Sequence, residues 1–506
     1  MSVSFNQIPA NINVPLFYAE MDNSAASTAQ DSGPALLFGH VLPGATIEPN
    51  KPVIMPSAAM AIKLAGQGSQ LARMVTAYRE TDPFGELWVI GIPDPQDGEP
   101  AQGRLAIAGV PSAAGAVNLY IGSTRVQIVV SAGDIPASIA LDIANAVNGL
   151  GDLPVTANVQ ADAGGDATSR TVILTARHTG TSGNTIPLTL NYYGSSGGEV
   201  LPDGLSITVQ AMTGGTGDPD FSAAVSAMGD EPYDFIGTPF TDRASLGLLA
   251  MEMGDDSGRW SYARQVYGHV YTAVAGSLSE LITVGDSWNN QHLTIAGYEA
   301  GTQTPPDELV ARRLARVAGF IRNDPARPTQ TGTLPGALPA PAGSRFTLTE
   351  QQALLSHGIA TSTVESNKLM IQRDITTYKR NAYGVADNSY FDSETLHTSA
   401  YVLRKLKSVI TGKYGRHKLA NDGSRFGPGQ AIVTPAVIRG ELCAMYRQLE
   451  REGIVENFEL FKTYLTVERN ANNPNRLDVL FPPDYVNQLR VFAVINQFRL
   501  QYSEES

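Results

Sequence analysis

Gln488–Tyr502 reads QLRVFAVINQFRLQY, fifteen residues without proline or glycine, ending four residues from the C-terminus. Phe492, Val494, Phe498, Leu500 and Tyr502 share one face at period two, interrupted by Asn496. The other face begins apolar with Leu489, Val491, Ala493 and Ile495, then turns polar at Gln497, Arg499 and Gln501. A strand is expected here, its first half buried on both faces and its second half covered on one. A chain end of this length frays unless something ties it down. It either closes a sheet of its own chain or pairs with another copy.

The other end carries a matching pattern. Ile8, Ala10, Ile12, Val14 and Leu16 alternate with Gln7, Pro9, Asn11, Asn13 and Pro15. Backbone donors alternate in direction along a strand, so both prolines remove donors from one edge and leave the other intact. That suits a strand pairing along one side only. Met21–Pro34 (MDNSAASTAQDSGP) reads as a flexible tether. An arm on a tether and a long terminal strand together suggest strand addition between subunits. An arm folded back on its own domain fits the same pattern.

The 506 residues suffice for roughly three domains of ordinary size. A single cysteine, Cys443, excludes an intramolecular disulfide framework and fits a reducing compartment. The start, MSVSFNQIPAN, has neither a basic nor an apolar signal-peptide region, and no apolar run reaches membrane-span length. A net charge of −13 argues against general nucleic-acid binding. The charge is uneven. Residues 360–506 carry 19 Lys+Arg against 16 Asp+Glu, whereas residues 1–359 carry 17 against 33, and no lysine lies between Lys63 and Lys368. Two surfaces with different neighbours are implied.

Along the chain, strands are expected at 35–41, 53–55 and 86–92, with helices at 57–64 and 69–78 between them: an α/β layer. Residues 97–215 are rich in Gly, Ala, Thr and Val, and Tyr120, Tyr192 and Tyr193 are their only aromatics. Short strands there (104–108, 117–121, 125–130, 171–176, 186–192, 205–210) and one helix (136–147) read as a β-rich unit between turn-rich linkers. The α/β pattern resumes with helices at 220–228, 243–253, 277–282 and 306–321 and strands at 233–236, 265–273 and 292–296. A Pro/Gly linker, 327–344, leads to a last domain. It holds a strand at 367–376, a helix at 394–410 facing inward through Leu396, Ala400, Leu403, Leu406 and Ile410, and a helix capped by Thr434. That second helix has a core stripe of Ile438, Leu442, Met445, Tyr446 and Leu449 and stops at Gly453. Strands 458–468, 476–481 and the terminal one would form an antiparallel meander. The expected fold class is α/β plus β, with a discontinuous α/β domain (35–96 plus 216–345) carrying a β-rich inserted domain (97–215). A small α+β C-terminal domain (346–487) follows, with extended N-terminal (1–34) and C-terminal (488–506) arms.

Chemistry is not nominated. The seven histidines are scattered at 40, 178, 269, 292, 357, 397 and 417, none paired at zinc-helix spacing, so no metal or cofactor is expected. Gly66-Gln67-Gly68 precedes a helix, but Leu71 stands where a dinucleotide fingerprint needs its third glycine. Neither a GxxxxGK[ST] loop nor a G-x-S-x-G elbow occurs. Gly214–Asp218 (GGTGD) reads as a linker rather than an anion nest. Arg404, Lys405, Lys407, Lys413, Arg416, His417 and Lys418 cluster at a helix C-terminus. They form either a solvated face with favourable dipole pairing or a dock for an acidic partner.

SFNQIPANINVPLFYAEMDNSAA at Ser4–Ala26 closely resembles the start of tail sheath proteins of Mu-like contractile-tailed bacteriophages. GTSGNTIPLTLNYY at Gly180–Tyr193, the GGTGDPDF junction at 214–221 and the closing strand are similar to that family too. The resemblance spans essentially the full chain. It implies a non-enzymatic subunit of a virion tail, assembled in the host cytoplasm into stacked rings, usually hexameric, around a tail tube. Contraction of the sheath would drive the tube through the host envelope. Implied partners are further copies of the chain, the tail tube protein, and baseplate and tail terminator proteins, with no nucleic acid and no membrane insertion. It further implies that arms from both chain ends add strands to neighbouring subunits. Phe5, Ile8, Ile12, Val14 and Leu16 at one end, and Val491, Phe492, Val494, Ile495 and Phe498 at the other, are the inter-subunit residues. Arg404, Lys405, Lys407, Lys413, Arg416 and Lys418 would face an acidic tube. Two rival readings stand beside it: another structural or surface-assembly protein, such as a baseplate component, and a hydrolase, for which no constellation speaks.

Overall fold

Strand β1 (Ala35–His40) is buried at every residue, as a central strand covered on both faces must be. Its alternation divides it between two cores. Ala35 and Leu37 join one apolar cluster, Leu36 and Phe38 another on the opposite face. The structure, a computed structural model, describes residues 33–160, 169–427 and 429–500.

After β1 come β2 (Pro52–Ile54), α1 (Ala58–Ala65), α2 (Gln70–Thr81) and β3 (Leu87–Ile92). Ser57 and Ser69 cap the two helices by accepting hydrogen bonds from the Met60 and Ala72 amides. The chain returns to this layer with α4 (Ser222–Ser226), β11 (Phe235–Gly237), α5 (Arg243–Glu252), β12 (His269–Gly276), α6 (Leu278–Asp286), β13 (Leu293–Glu299), α7 (Pro306–Asn323), α8 (Leu348–Ser356), β14 (Ile359–Glu365) and β15 (Lys368–Arg373). Together they build an eight-stranded sheet in the order β15-β14-β13-β12-β11-β1-β3-β2. Its six inner strands are parallel and both edge strands antiparallel. Helices α1, α2 and α7 cover one face, and α4, α5, α6 and α8 the other. Helix α2 lies so close to β1 that a Cβ on Gly39 would sit 3.0 Å from the Leu71 Cα, and any larger residue there would have to push the helix back.

Between β3 and α4 the chain forms β4 (Pro100–Gly109), β5 (Gly115–Ile121), β6 (Thr124–Val130), α3 (Pro136–Gly149), β7 (Val155–Gln160), β8 (Ser169–Thr179), β9 (Leu188–Leu190) and β10 (Leu205–Thr213). They make two antiparallel sheets, β10-β4-β8-β7 and β6-β5-β9, around an apolar cluster of their own. After β15 come α9 (Ser393–Tyr414), β16 (Lys418–Leu419), β17 (Ile432–Val433), α10 (Pro435–Arg451), α11 (Phe458–Tyr464), β18 (Thr466–Arg469) and β19 (Leu477–Leu480). The chain is therefore a mixed α/β fold with several sheets.

Five sequence expectations need correction. The strand expected at 265–273 starts only at His269, because Gln265 and Tyr267 have φ of 53° and 56° and turn the chain. The strand expected at 367–376 is β15, and it extends the eight-stranded sheet through β14 instead of opening the last domain. Residues 458–468 are mostly helix: Phe458, Phe461 and Leu465 follow helical spacing, and Phe461 stacks on Tyr446 at 3.7 Å between ring centroids. In α9, Leu403 is 40% exposed and Val402 takes the buried place. Residues 488–500 form no strand at all; the meander reduces to the β18–β19 hairpin.

Candidate assembly surface

The unpaired end begins at a firmly held root. The Val486 amide donates to the Ile454 carbonyl at 3.1 Å, and Tyr485 bridges Val455. Gln488 Nε2 donates to the Ala326 carbonyl at 2.8 Å, and Gln330 Nε2 to the Leu489 carbonyl at 3.1 Å. Arg490 then reaches Asp392 and Glu394, both at 3.1 Å, and Gln330 Oε1 at 3.2 Å. Glu394 is wholly buried; burial pushes its carboxyl above the ordinary range, against the lowering effect of Arg490.

One residue later the surroundings change. Val491, Phe492, Ile495 and Leu500 are 78%, 81%, 95% and 97% exposed, and Val494 and Phe498 are exposed as well. Six large apolar side chains on ten residues, with no strand pairing among the described residues, form an exposed apolar patch of the kind that marks an interaction surface. Among the described residues, the burial expected for this stretch is absent. The N-terminal candidates Phe5, Ile8, Ile12, Val14 and Leu16 lie outside the described residues.

A two-stranded hairpin with open edges stands near by in sequence. Strands β18 and β19 pair only with each other among the described residues, in register Thr466↔Leu480 to Arg469↔Leu477. Both outer edges therefore offer unpaired backbone groups. The hairpin stands on the C-terminal core, formed by Val433, Ile438, Leu442, Met445, Tyr446 and Leu449 with α11. Thr434 caps α10 by accepting from the Val437 amide, as the sequence predicts.

The basic cluster divides. Arg404 is committed to Asp234 through both terminal guanidinium nitrogens, Lys405 to Glu452 at 2.6 Å, and Lys413 to Glu441. These are intramolecular pairs, and Arg404 in particular ties α9 to the start of β11, so its place in an outward-facing cluster is corrected. Lys407, Arg416 and Lys418 remain exposed, joined by Arg425 on the 420–431 loop.

The central sheet sets these surfaces apart. At the start of the parallel strands, His397 of α9 stacks on Phe235 at 4.9 Å and hydrogen-bonds the Tyr271 hydroxyl at 2.8 Å. At their far ends, His40 of β1 and Asp94 after β3 meet His178 of β8, with His178 Nδ1 2.7 Å from Asp94. The Gln70 amide donates to His178 Nε2 at 2.9 Å, so the imidazole carries its proton on Nδ1 and gives it to Asp94. Tyr192 donates to the Pro339 carbonyl at 2.5 Å, and Gln303 to the Gly122 carbonyl at 2.8 Å. The C-terminal unit and the β-rich unit thus attach to opposite ends of the same strands.

Sequence reasoning singled out the apolar end segment and missed its root. Gln330, Asp392 and Glu394 sit far from Arg490 in sequence, and no local pattern marks them. Among the described residues, no group of His, Cys, Asp and Glu could hold a metal ion, and no helix is long and apolar enough to cross a membrane.

Comparison with known proteins adds independent findings. The phage tail sheath protein central domain family matches residues 214–377, and the phage tail sheath C-terminal domain family matches 385–499. The Mu-like prophage FluMu tail sheath protein of Haemophilus influenzae is 37% identical over 503 residues, covering 99% of this chain and 100% of its own length. A sheath tail protein structure from Desulfitobacterium hafniense aligns over 94% of this chain and 97% of that one, at 12% identity and a TM-score of 0.48. One from Listeria innocua aligns over 90% and 92%, at 14% identity and a TM-score of 0.47.

Proposed function

The chain belongs to the phage tail sheath family, a structural component of the virion tail and not an enzyme, and from that premise we propose that it polymerises by strand exchange between copies. The apolar segment 491–500 leaves its own subunit and adds a strand to an open edge of a neighbour's β18–β19 hairpin. The observation that carries this reading is the presence in one molecule of an exposed apolar end segment and a two-stranded hairpin with open edges. Residues 1–20 supply a second arm, and two arms match the hairpin's two free edges. The subunits form stacked rings, hexameric in this reading, around a tail tube, with baseplate and terminator proteins at the ends, assembled in the host cytoplasm.

Opposite attachment to the central strands gives the subunit an inside and an outside. The mildly basic C-terminal unit faces the tube through Lys407, Arg416, Lys418 and Arg425, and the lysine-free β-rich unit faces outward. Contraction drives the tube forward. Its energy is stored in assembly, with the extended sheath metastable and the contracted one gaining contacts between outer units. Calorimetry of extended sheaths should show an exothermic, irreversible transition, and its absence would refute stored energy.

Electron microscopy of the full chain beside forms lacking residues 1–20 or 491–506 tests assembly. Tubes from the full chain, lost or shortened in both truncations, are expected. Discrete particles from the full chain at every concentration, or unimpaired tubes from the truncations, would overturn strand exchange.

A further inference from the structure

The root of the arm is more elaborate than a tether requires. Ten residues separate the end of β19 from Val491, enough to turn back and lay the arm along the chain's own hairpin. A strand tethered that closely has an effective concentration of order millimolar. Against neighbours at micromolar concentration, self-pairing would prevail by about a thousandfold. An arm that serves other copies must therefore be kept from its own edge.

We propose that Gln488–Arg490 is a clamp that fixes the exit direction of the arm and prevents it from closing on its own β18–β19 hairpin. This rests on the strand-exchange reading above and adds what regulates it. The path supports it. Residues 484–486 are held along 454–456, where the Glu456 amide donates to the Asp484 carbonyl at 2.9 Å and the Val486 amide to Ile454. The chain then leaves 454–456. Gln488 and Leu489 bond to Ala326 and Gln330, in the segment after α7, and Arg490 enters the acidic start of α9. The Arg490 side chain is only 10% exposed, and it meets a Glu394 that is itself held by the Thr329 amide and hydroxyl at 2.9 Å. Beside it, Asp392 also binds Arg373 of β15, and Asp374 binds Arg313 of α7 at 2.7 Å. The guanidinium is thus lodged in an ionic network that joins the start of α9 to α7 and β15. Within the clamp the Leu489 side chain is already exposed and only its carbonyl is held, so Arg490 is the last residue of the clamp whose side chain is anchored. Arg490 is a positioning residue, acting on assembly through the arm it directs.

Two variants test this: Arg490→Gln, and Gln330→Ala combined with Gln488→Ala, which loosens the same clamp without uncovering a buried carboxylate. In the dilute, unassembled chain, amides of 491–500 should exchange freely in wild type and become protected in the variants. The concentration needed to form tubes should rise about tenfold or more. A variant that merely lost stability would not gain protection in the arm. Folded variants with unprotected arms and an unchanged assembly threshold would overturn the clamp. Should Arg490→Gln not fold, the double glutamine variant decides alone. Tubes formed equally well by a chain lacking 491–506 would overturn strand exchange itself, an outcome distinct from failure of the clamp.

Discussion

Acidification should loosen this subunit at its two internal junctions, and His397 allows the effect to be sized. Its ring is buried between Phe235 and Tyr271, and burial lowers its pKa from 6.5 to about 4, with Arg404 adding to the shift and Asp234 and Asp374 opposing it. The folded state therefore holds the imidazole neutral while the unfolded chain binds a proton below pH 6.5. Because the unfolded state binds more protons, stability falls as pH drops from 6.5 towards 4. From these two values, going from pH 7.5 to pH 5 removes about 2 kcal/mol through His397 alone. His40, lowered to about 4 by burial and by His178 against the raising effect of Asp94, contributes a similar loss at the other junction. Chemical denaturation of the dilute chain at pH 7.5, 6 and 5 reads the sum. The difference in pH dependence between wild type and His397→Gln isolates one junction, since other titrating groups are common to both. A variant less stable at pH 7.5 but flatter by about 2 kcal/mol is expected. Parallel pH curves for wild type and variant would refute the reasoning.

Further outcomes follow from the C-terminal unit. Leu442→Ala, in a fully packed site on α10, should lower the stability of that unit by about 2–5 kcal/mol in denaturant titrations. Thr434→Ala removes the α10 cap and should cost about 0.5–2 kcal/mol by the same measurement. Reversing the charges of Lys407, Arg416 and Lys418 together should weaken co-sedimentation with tail tubes and its salt sensitivity while leaving self-assembly intact; equal tube binding would remove these residues from the tube face. Replacing Phe492 and Val494 by Asp should suppress tube formation with little change in unfolding midpoint, because both side chains are exposed in the single chain.

Much of the architecture was legible because its signals are local. The uninterrupted apolar run of β1, the serine caps of α1 and α2, and the stripe Ile438–Leu449 of α10 each declare an element within a dozen residues. The change of composition at residue 97 likewise marked a segment that builds its own sheets and core. Where short apolar spacing was ambiguous, as in 458–464, a tertiary contact decided: Phe461 stacks on Tyr446, which helical spacing permits and an extended strand would not.

The sequence by itself determined that residues 488–502 are strand-like, apolar and worth covering, because alternation and the absence of breakers are properties of the chain alone. Where the root of that segment is held is a matter of tertiary structure: its partners Gln330, Asp392 and Glu394 lie 96 to 160 residues away. The same holds for the basic cluster, where the sequence counts charges but only the fold shows which are already paired, Arg404 with Asp234 across 170 residues. Strand character follows from local sterics and hydrophobic period, whereas which groups are already paired depends on long-range contacts that only the folded chain makes.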